Sequence, residues 1–273
     1  MARVRTAIAA VLTAATALGG TACIPFYHPD RTSRVLVFNI HAGKDAANAP
    51  NLDDVAALMR TTGASVALLQ EVDRHTVRSG KVDQVQALMK ASGFDGEFGQ
   101  TLDYDGGQYG IATFARDRVD YILTFPLRVL PPQARAGGSH EPRGALVTVD
   151  ATPSGRWQSI NTHLDPSNDD TYRRQEVQDL LHLVRQRLAA GLPMIVGGDF
   201  NSTPDNAVQQ TLRAAGLRDA WTECGQGDGF TYPANAPAKR IDYLFLTGNL
   251  HCASAQVLDT RISDHRPLLV TMK

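Results

Sequence analysis

The stretch MIVGGDFNSTPD, residues 194–205, brings an apolar run to an abrupt polar end. Met194–Val196 is short, rich in β-branched residues and bounded by turn formers, which is typical of a buried strand. Asp199 and Asn201 follow two residues apart, and Asp and Asn are also common turn residues. Taken alone, the stretch predicts a strand that ends either in a simple turn or in a site carrying a carboxylate and an amide.

Polar side chains also accompany other apolar runs along the chain. Glu71 follows the run 66–69 closely, and Asp242 lies between Ile241 and Tyr243. Side chains two residues apart in a strand point to the same side of a sheet. We therefore expect three pairs to face one shared mouth: Asn39 with His41, His163 with Asp165, and Asp199 with Asn201.

These polar groups are of the kind that bind a hard divalent cation. Magnesium prefers carboxylate and carbonyl oxygens and keeps several waters, which fits Glu71, Asn39 and an aspartate late in the chain. The sequence has no His-Glu-x-x-His zinc motif and no Gly-x-Ser-x-Gly nucleophile elbow. The pattern favours a magnesium-type site completed by a substrate phosphate.

The pattern of apolar residues predicts more strands than helices. Apolar runs predict strands at 35–40, 66–69, 111–114, 146–149, 157–162, 194–196, 241–246 and 268–272. Apolar stripes predict helices that begin after Asn51, near Val82, after Asp169 or Asp170, and at Ala207. No Gly/Ser linker or charge block divides residues 34–273, so we expect one α/β domain in which two packed sheets carry helices outside.

The polar motifs occur in a characteristic order along this domain. They are Asn39, LLQEVD with Glu71, YGIATFARDR with Tyr109, NTHLD with His163, GGDFNSTP with Asp199 and Asn201, RIDYLF with Asp242, and SDHRPL with Asp264 and His265. Together they resemble the endonuclease/exonuclease/phosphatase superfamily over about the whole of residues 34–273. The resemblance implies a four-layered α/β sandwich with two facing mixed β-sheets and flanking helices. It also implies cleavage of phosphoester bonds with Mg²⁺ or Mn²⁺.

The resemblance further implies a role for each residue of the site. Glu71 would bind the metal, Asn39 would bind it or orient its water, and Asp264 would lie at or near it. The catalytic groups would be Asp199 as the base for the attacking water, Asn201 as a holder of phosphate or water, Asp242 paired with His265, and His163 as a donor to a phosphate oxygen.

Two further residues have open interpretations. Tyr109 follows two glycines, and its phenol is suited either to donate to phosphate or to pack in the core. Arg143, in EPRGAL, is suited either to bind a substrate phosphate or to form a structural ion pair. Some nuclease members of the superfamily carry an acidic residue where His41 stands, which disfavours a second metal and nuclease activity here.

The predicted function is a metal-dependent phosphohydrolase or phosphodiesterase in which water attacks in line. Its candidate substrates are phospholipid or inositol-phosphate headgroups, small phosphate esters and nucleic acids. A formal net charge of −1 disfavours duplex nucleic acid as the main partner. A nuclease and a non-catalytic phospholigand-binding module are the alternatives, although a pure binder is expected to have lost carboxylates that are present here. We expect a monomer.

The first residues predict export from the cell. Arg3 and Arg5 precede an apolar, alanine-rich segment too short to span a bilayer, so residues 1–22 are interpreted as a signal peptide, with a buried N-terminal helix as the alternative. Cys23 resembles the acylated cysteine of a bacterial lipoprotein, and lipidation and simple cleavage both remain open. Residues 23–33 are the predicted linker. The expected location is secreted or anchored to the outer face of the cell membrane.

The remaining cysteines are Cys224 and Cys252. Paired cysteines commonly bridge in an oxidising compartment, so we predict a disulfide, with two buried free thiols as the alternative. Substrate specificity is expected to reside in loops rather than in the sheets. The candidate loops are Asp103–Gln108, Pro131–Arg143 and Gly225–Lys239.

Overall fold

The structure, a computed structural model, describes residues 32–132 and 141–273. The strands are β1 (Ser33–Asn39), β2 (Val66–Arg74), β3 (Asp95–Tyr104), β4 (Gly107–Ala115), β5 (Arg118–Leu127), β6 (Arg143–Thr152), β7 (Gly155–His163), β8 (Met194–Asp199), β9 (Arg218–Asp219), β10 (Asp242–Leu246), β11 (Cys252–Val257) and β12 (Leu268–Met272). The α-helices are α1 (Leu52–Thr61), α2 (Gln84–Ser92), α3 (Thr171–Leu188), α4 (Ala207–Ala214) and α5 (Ala220–Cys224).

The strands of these described segments form two six-stranded sheets. The first has the order β11-β12-β1-β2-β4-β3, and the second has the order β5-β6-β7-β8-β10-β9. Both are mixed, because β1 runs parallel to β2 but antiparallel to β12, and β8 runs parallel to β7 but antiparallel to β10. The predicted pair of mixed sheets is confirmed.

An apolar core fills the space between the sheets. Val37 and Leu68 of the first sheet belong to the same buried cluster as Ile195 and Leu244 of the second. Complete burial of such a side chain contributes about 1.5–3 kcal/mol relative to exposure. These inward faces therefore hold the two sheets against each other.

The helices cover the outer faces of the sheets. Met59 of α1 and Leu88 of α2 pack on the first sheet, and Leu180 of α3 and Leu212 of α4 pack on the second. The layers are thus helices, sheet, sheet and helices, which confirms the four-layered sandwich. Within the described residues, no helix combines the length and apolar character needed to cross a bilayer.

One polar contact crosses the core between the sheets. Nε2 of Gln70 donates to Oδ1 of Asn161 at 2.7 Å, and Nδ2 of Asn161 donates to the carbonyl oxygens of Leu69 and Ala112 at 3.0 and 2.9 Å. Both amide side chains are fully buried. A hydrogen bond has directional preferences that apolar packing lacks, so this contact fixes how β7 lies against β2 and β4.

The predicted strands all form, but β3, β5, β9 and β11 were not predicted. Strand β3 is mostly half-buried and contains Gly and Asp, which are depleted in strands. It forms because it lies at the edge beside β4. Strand β1 begins at Ser33, so the last residue of the predicted linker belongs to the sheet.

The first predicted helix cap differs from the prediction. Asn51 precedes α1, but its side chain makes no capping hydrogen bond. Instead its Nδ2 donates to the carbonyl oxygens of Ile40, Lys44 and Ile262. The side chain therefore ties together the segments that follow β1 and precede β12, both of which lead into the cleft described below.

The predicted disulfide is confirmed. Cys224 at the end of α5 is bonded to Cys252 at the start of β11, with 5.9 Å between the two Cα atoms. The predicted signal peptide, residues 1–22, and Cys23 lie outside the described residues, as do residues 133–140 of one predicted specificity loop.

Candidate active site

Three adjacent strands deliver one row of polar side chains. His163 at the end of β7 stands opposite Asp199 at the end of β8, and Asp199 stands opposite Asp242 at the start of β10. Gly198 permits the close approach of β7 and β8, because a Cβ atom there would lie 1.8 Å from the carbonyl oxygen of Thr162. The glycines of the opening stretch thus allow the strand to present Asp199 beside two other functional groups.

Asp199 is the centre of this row. Its Oδ2 accepts from Nδ2 of Asn39 at 3.1 Å and lies 3.6 Å from Nε2 of both His163 and His265. Burial, reinforced by the charge of Asp242, raises the pKa of Asp199 to about 7. A carboxylate with such a pKa is suited to accept a proton near neutral pH.

His265 is held by Asp242. Nδ1 of His265 lies 2.9 Å from Oδ2 of Asp242, and both side chains are buried. Burial lowers the pKa of His265, but the charges of Asp242 and Asp199 overcome this effect and raise it to about 10. The ring is therefore a cation at neutral pH, and the ring of Tyr232 packs 4.8 Å from its centroid.

His163 has a different environment. Nδ1 lies 3.2 Å from Nη1 of Arg143, and Nε2 lies 3.1 Å from Nδ2 of Asn201. Burial, together with the charges of Arg143 and His265, lowers the pKa of His163 well below its ordinary value. A guanidinium can only donate, so Nδ1 is the acceptor and the neutral ring carries its proton on Nε2; the amide nitrogen of Asn201, also a donor, then bonds the carbonyl oxygen of Leu164 at 2.9 Å and not the ring.

Glu71 is presented by an irregularity in β2. The pairing of β2 with β4 shifts between Leu69 and Val72, and Glu71 has a positive φ of 56° within this bulge. Oε1 of Glu71 accepts from Nδ2 of Asn39 at 3.1 Å. Asn201 and His41 also have positive φ values, of 47° and 52°. Strained backbone of this kind clusters at functional sites.

Asn39 links the two carboxylates of the site. Its Nδ2 donates to both Glu71 and Asp199, while its Oδ1 accepts from the backbone nitrogen of His41 at 3.1 Å. In this orientation the amide positions both carboxylates, and its oxygen keeps a second lone pair with which it could bind a metal.

Asp264 lies beside this group, on the segment that leads into β12. Its Oδ1 is 3.9 Å from Nδ1 of His41, and its side chain is about one-third exposed. The neighbouring Ser263 donates from Oγ to the carbonyl oxygen of Asn39 at 2.8 Å. This hydrogen bond fixes the segment against the end of β1.

The oxygen donors near Glu71 fit a hard cation. One set that could hold an ion is Asp199, Asp242 and His265, whose potential ligand atoms lie within 4.8 Å of one another. We favour the side of Glu71 and Asp264, because Mg²⁺ and Mn²⁺ prefer oxygen ligands and Nδ1 of His265 is already bonded to Asp242.

Tyr109 and Arg143 lie on the other side of the row. Tyr109 is almost buried in β4 and contributes to the wall of the cleft. Burial and the nearby charge of Glu71 raise its pKa well above the ordinary value, so the phenol keeps its proton. Arg143 is buried, with Nη2 3.2 Å from Oε2 of Glu141 in addition to its contact with His163.

These side chains surround one cleft of about 710 Å³. Of the residues predicted from sequence, the cleft is lined by Glu71, Tyr109, Arg143, His163, Asp199, Asn201, Asp264 and His265. Asn39 and Asp242 lie behind this lining and bond to it. The predicted pairing of His163 with Asp165 is wrong: β7 ends at His163, and Asp165 is buried and accepts from the backbone nitrogen of Ser167.

Sequence reasoning missed the lining residues Lys44, Arg78 and Arg173, whereas Tyr104, Glu141 and Lys239 lie in the predicted specificity loops without having been named individually. Most of them lie outside the short motifs at the strand ends, where no spacing marks them as functional. Ion pairs between residues close in sequence, Asp73 with Arg78 and Glu141 with Arg143, are signals that could have found two of them.

The profile of the Endonuclease/Exonuclease/phosphatase family matches residues 36–265. The chain therefore belongs to this family, whose members are generally hydrolases of phosphoester bonds that use divalent metals. The chain is 27% identical over 261 residues to the uncharacterized protein YbhP of Escherichia coli strain K12, covering 88% of this chain and 97% of that protein.

Solved structures share the fold at low sequence identity. A mannosyl-6-phosphatase of Bacteroides thetaiotaomicron superposes with a TM-score of 0.72 and 19% identity, covering 88% of this chain and 99% of that one. The catalytic domain of human Nocturnin, solved with a bound sulfate anion, has a TM-score of 0.64 and 20% identity, covering 89% of this chain and 94% of that domain. Proteins of this fold thus include phosphatases.

Proposed function

We propose that this protein is a divalent-metal-dependent phosphohydrolase or phosphodiesterase that cleaves a phosphoester by in-line attack of water. The observation that supports this most strongly is the convergence on Asp199. Asn39, His163 and His265 all lie within 3.6 Å of its Oδ2, although they come from different strands and loops. A simple turn after β8 would not require three such partners.

Asp199 is the proposed base. Its pKa of about 7 allows it to take a proton from the attacking water, as the new oxygen–phosphorus bond forms and the bond to the leaving oxygen breaks. Asn201 orients the phosphate or the water: its backbone nitrogen bonds Oδ1 of Asp199 at 2.9 Å, and its amide lies beside His163.

The charge that accumulates on the phosphoryl oxygens is met by donors around the cleft. His265 offers a cation, neutral His163 offers its Nε2 proton, and the phenol of Tyr109 offers a third donor. Phosphoryl transfer depends mainly on positioning and charge stabilisation. Arg143 contacts His163 rather than open solvent, and its predicted contact with substrate phosphate remains a prediction.

Glu71, Asp264 and Asn39 are the residues proposed to hold Mg²⁺ or Mn²⁺. When bound, the cation supplies Lewis-acid stabilisation of the phosphoryl oxygens. Without the cation, the carboxylates of Glu71 and Asp199 would repel an anionic substrate. The amide of Asn39 lies between these two carboxylates and donates to both.

Small phosphate esters or phosphorylated headgroups are the favoured substrates. The cleft volume of about 710 Å³ suits a small molecule, and the net charge of −1 gives no general attraction to nucleic acid. We further propose that the protein is exported, through residues 1–22, to the cell exterior or to a lipid anchor at Cys23, and acts there as a monomer.

Metal-dependent turnover is the direct test. Purified protein should hydrolyse p-nitrophenyl phosphate or bis(p-nitrophenyl) phosphate, lose activity in EDTA, and recover it with Mg²⁺ or Mn²⁺. In ¹⁸O-labelled water, a single turnover should place the label in the released phosphate. Failure to hydrolyse any phosphoester with either metal would contradict the proposal. Phosphate binding without turnover would favour the non-catalytic module, and preferential cleavage of single-stranded or nicked DNA would favour the nuclease.

A further inference from the structure

Arg78 forms part of the cleft wall at a distance in sequence from the motifs described above. It lies between β2 and α2, and its Nε and Nη2 donate to Oδ2 and Oδ1 of Asp73, both at 2.8 Å. Asp73 is fully buried and also accepts from Oγ1 of Thr76 at 2.8 Å. A bidentate bond to a fixed carboxylate sets the plane of the guanidinium.

The backbone around Arg78 is fixed as well. The nitrogen of Val77 donates to the carbonyl oxygen of Asp105 at 2.9 Å, and the nitrogen of Arg78 donates to Oδ2 of Asp105 at 2.6 Å. The guanidinium lies 4.5 Å from the ring centroid of Tyr104 and 5.3 Å from that of Tyr109. The cation is therefore held in place before any ligand arrives, which reduces the entropy lost on binding.

The side chain of Arg78 is partly exposed in the cleft. Arg78 is about 30% exposed and lines the same cavity as Asp199 and His163. Within the described residues, no acceptor bonds its Nη1, while Asp73 occupies the opposite edge. Asp264 lies at one flank of the site, near the end of β1. Tyr109 on β4 lies at the opposite flank, beyond β2, and Arg78 is next to Tyr109.

We propose that Arg78 forms a second anion subsite in the cleft, so that the preferred substrate carries an anionic group, phosphate or carboxylate, besides the phosphoester that is cleaved. This inference rests on the proposed function, since it assigns the reacting phosphoester to Asp199 and the histidines. Arginine is the side chain best suited to such recognition, because its planar donors match the oxygens of both anions.

Binding of non-hydrolysable ligands tests the subsite without turnover. Affinities in the presence of Mg²⁺ are measured by calorimetry for n-alkyl phosphonates, for α,ω-bisphosphonates of increasing linker length, and for the corresponding ω-phosphonocarboxylates. Wild-type protein should bind at least one bifunctional series about tenfold or more tightly than the monophosphonate, with an optimum at one length. The two series distinguish phosphate from carboxylate as the second anion.

Variants assign the effect to the side chain. In Arg78→Met the affinity ratio between bifunctional and monofunctional ligands should fall close to one. Arg74→Met is the matched control: Arg74 pairs with Asp83 and stacks over Phe98, and it does not line the cleft, so the ratio should persist. Because Arg78→Met leaves Asp73 buried and unpaired, Asp73→Asn/Arg78→Met is measured alongside, with thermal unfolding to check folding.

The outcomes separate this subsite from the proposed function. Equal affinities for both ligand types in wild-type protein, no binding of either, or an unchanged ratio in a folded Arg78 variant would each overturn the subsite. Hydrolysis of p-nitrophenyl phosphate is assayed separately, so a protein that turns over monoesters but shows no preference for a second anion would retain the proposed function and lose only the subsite.

Discussion

His163 and His265 occupy matching positions on two sides of Asp199, yet they differ in charge. Nε2 of each ring lies 3.6 Å from the same carboxylate oxygen, and both rings are buried. Asp242 stands behind His265, where it holds the ring as a cation, and Arg143 stands behind His163, where it holds the ring neutral. The residue behind the ring, rather than the distance to Asp199, determines what each histidine contributes.

The difference gives the cleft two kinds of donor. A cation supports charge that already exists on a phosphate, whereas a neutral donor adds a hydrogen bond without adding repulsion between the two rings. Two adjacent imidazolium ions would each lower the pKa of the other. The predictions for Asp199, Asp242 and Arg143 test this asymmetry, beginning with the residue that both rings share, and a further prediction concerns the buried Glu176.

Asp199→Asn should cause the largest loss. The amide keeps the shape of the side chain but cannot accept the proton of water, so the rate should fall by about 10⁴-fold. Steady-state hydrolysis with Mg²⁺ measures the effect. Asp205→Asn, an exposed position on the same segment, is the control and should retain wild-type rates. Equal rates in both variants would contradict the role of Asp199 as the base.

Asp242→Asn should favour loss of the proton from His265, and without that charge the pKa of His163 should move back toward its ordinary value. Loss of a carboxylate that fixes a catalytic imidazole is expected to lower the rate by about 10³-fold. The kinetic comparison uses Asp259→Asn as its control, because Asp259 forms an exposed ion pair with Arg266. If Asp242→Asn keeps full activity, the proposed role of His265 as a cation is wrong.

Glu176→Gln should stabilise the protein at alkaline pH. Burial raises the pKa of Glu176 from 4.5 to about 7, and Oε2 accepts from the backbone nitrogen of Asp165. The folded state therefore binds this proton more tightly than the unfolded state, and the cost of the buried charge develops as pH rises from about 4.5 to about 7. Glutamine avoids that cost, with a gain of up to about 3 kcal/mol.

Urea unfolding at two pH values measures this effect. The stability difference between Glu176→Gln and wild type should be present near pH 8 and absent near pH 4, where glutamate is protonated in both states. A gain of equal size at both values would show that the effect does not come from ionisation.

Arg143→Met should have the smallest effect on rate, about tenfold, because His163 keeps its place but loses the donor that fixes its tautomer. Long-range ¹H–¹⁵N spectra report the tautomer directly. Wild-type His163 should carry its proton on Nε2 alone, and the variant should show a mixture. Arg118→Met, at an exposed ion pair, is the control. A wild-type spectrum with the proton on Nδ1 would contradict the assignment.

The sequence predicted the buried strands and most of the cleft. Apolar runs such as 35–40 and 194–196 form central strands, since strands covered on both faces require continuous apolar residues. Strands β3 and β5 were missed because both lie at the edges of their sheets and have few buried residues, which weakens the alternation that marks a strand. Their formation depends on β4 and β6, and local sequence does not encode that pairing.

The site was predictable as a set of residues but not as a geometry. The motifs named Glu71, but nothing in LLQEVD indicates the bulge that turns it toward Asn39. Likewise, the sequence left Arg143 open between substrate and ion pair, and only the fold places its Nη1 beside His163. Contacts between residues far apart in the chain decide both roles.

The amide pair between the sheets has a consequence for this geometry. Gln70 is next to Glu71, and Asn161 is two residues before His163, so the 2.7 Å bond between the amides joins the carboxylate side of the cleft to the imidazole side. A hydrogen bond weakens as its length and angle depart from a narrow range, so this bond adds a directional constraint to the apolar packing between the sheets. The bond thus helps to fix the distance between the two sides of the cleft.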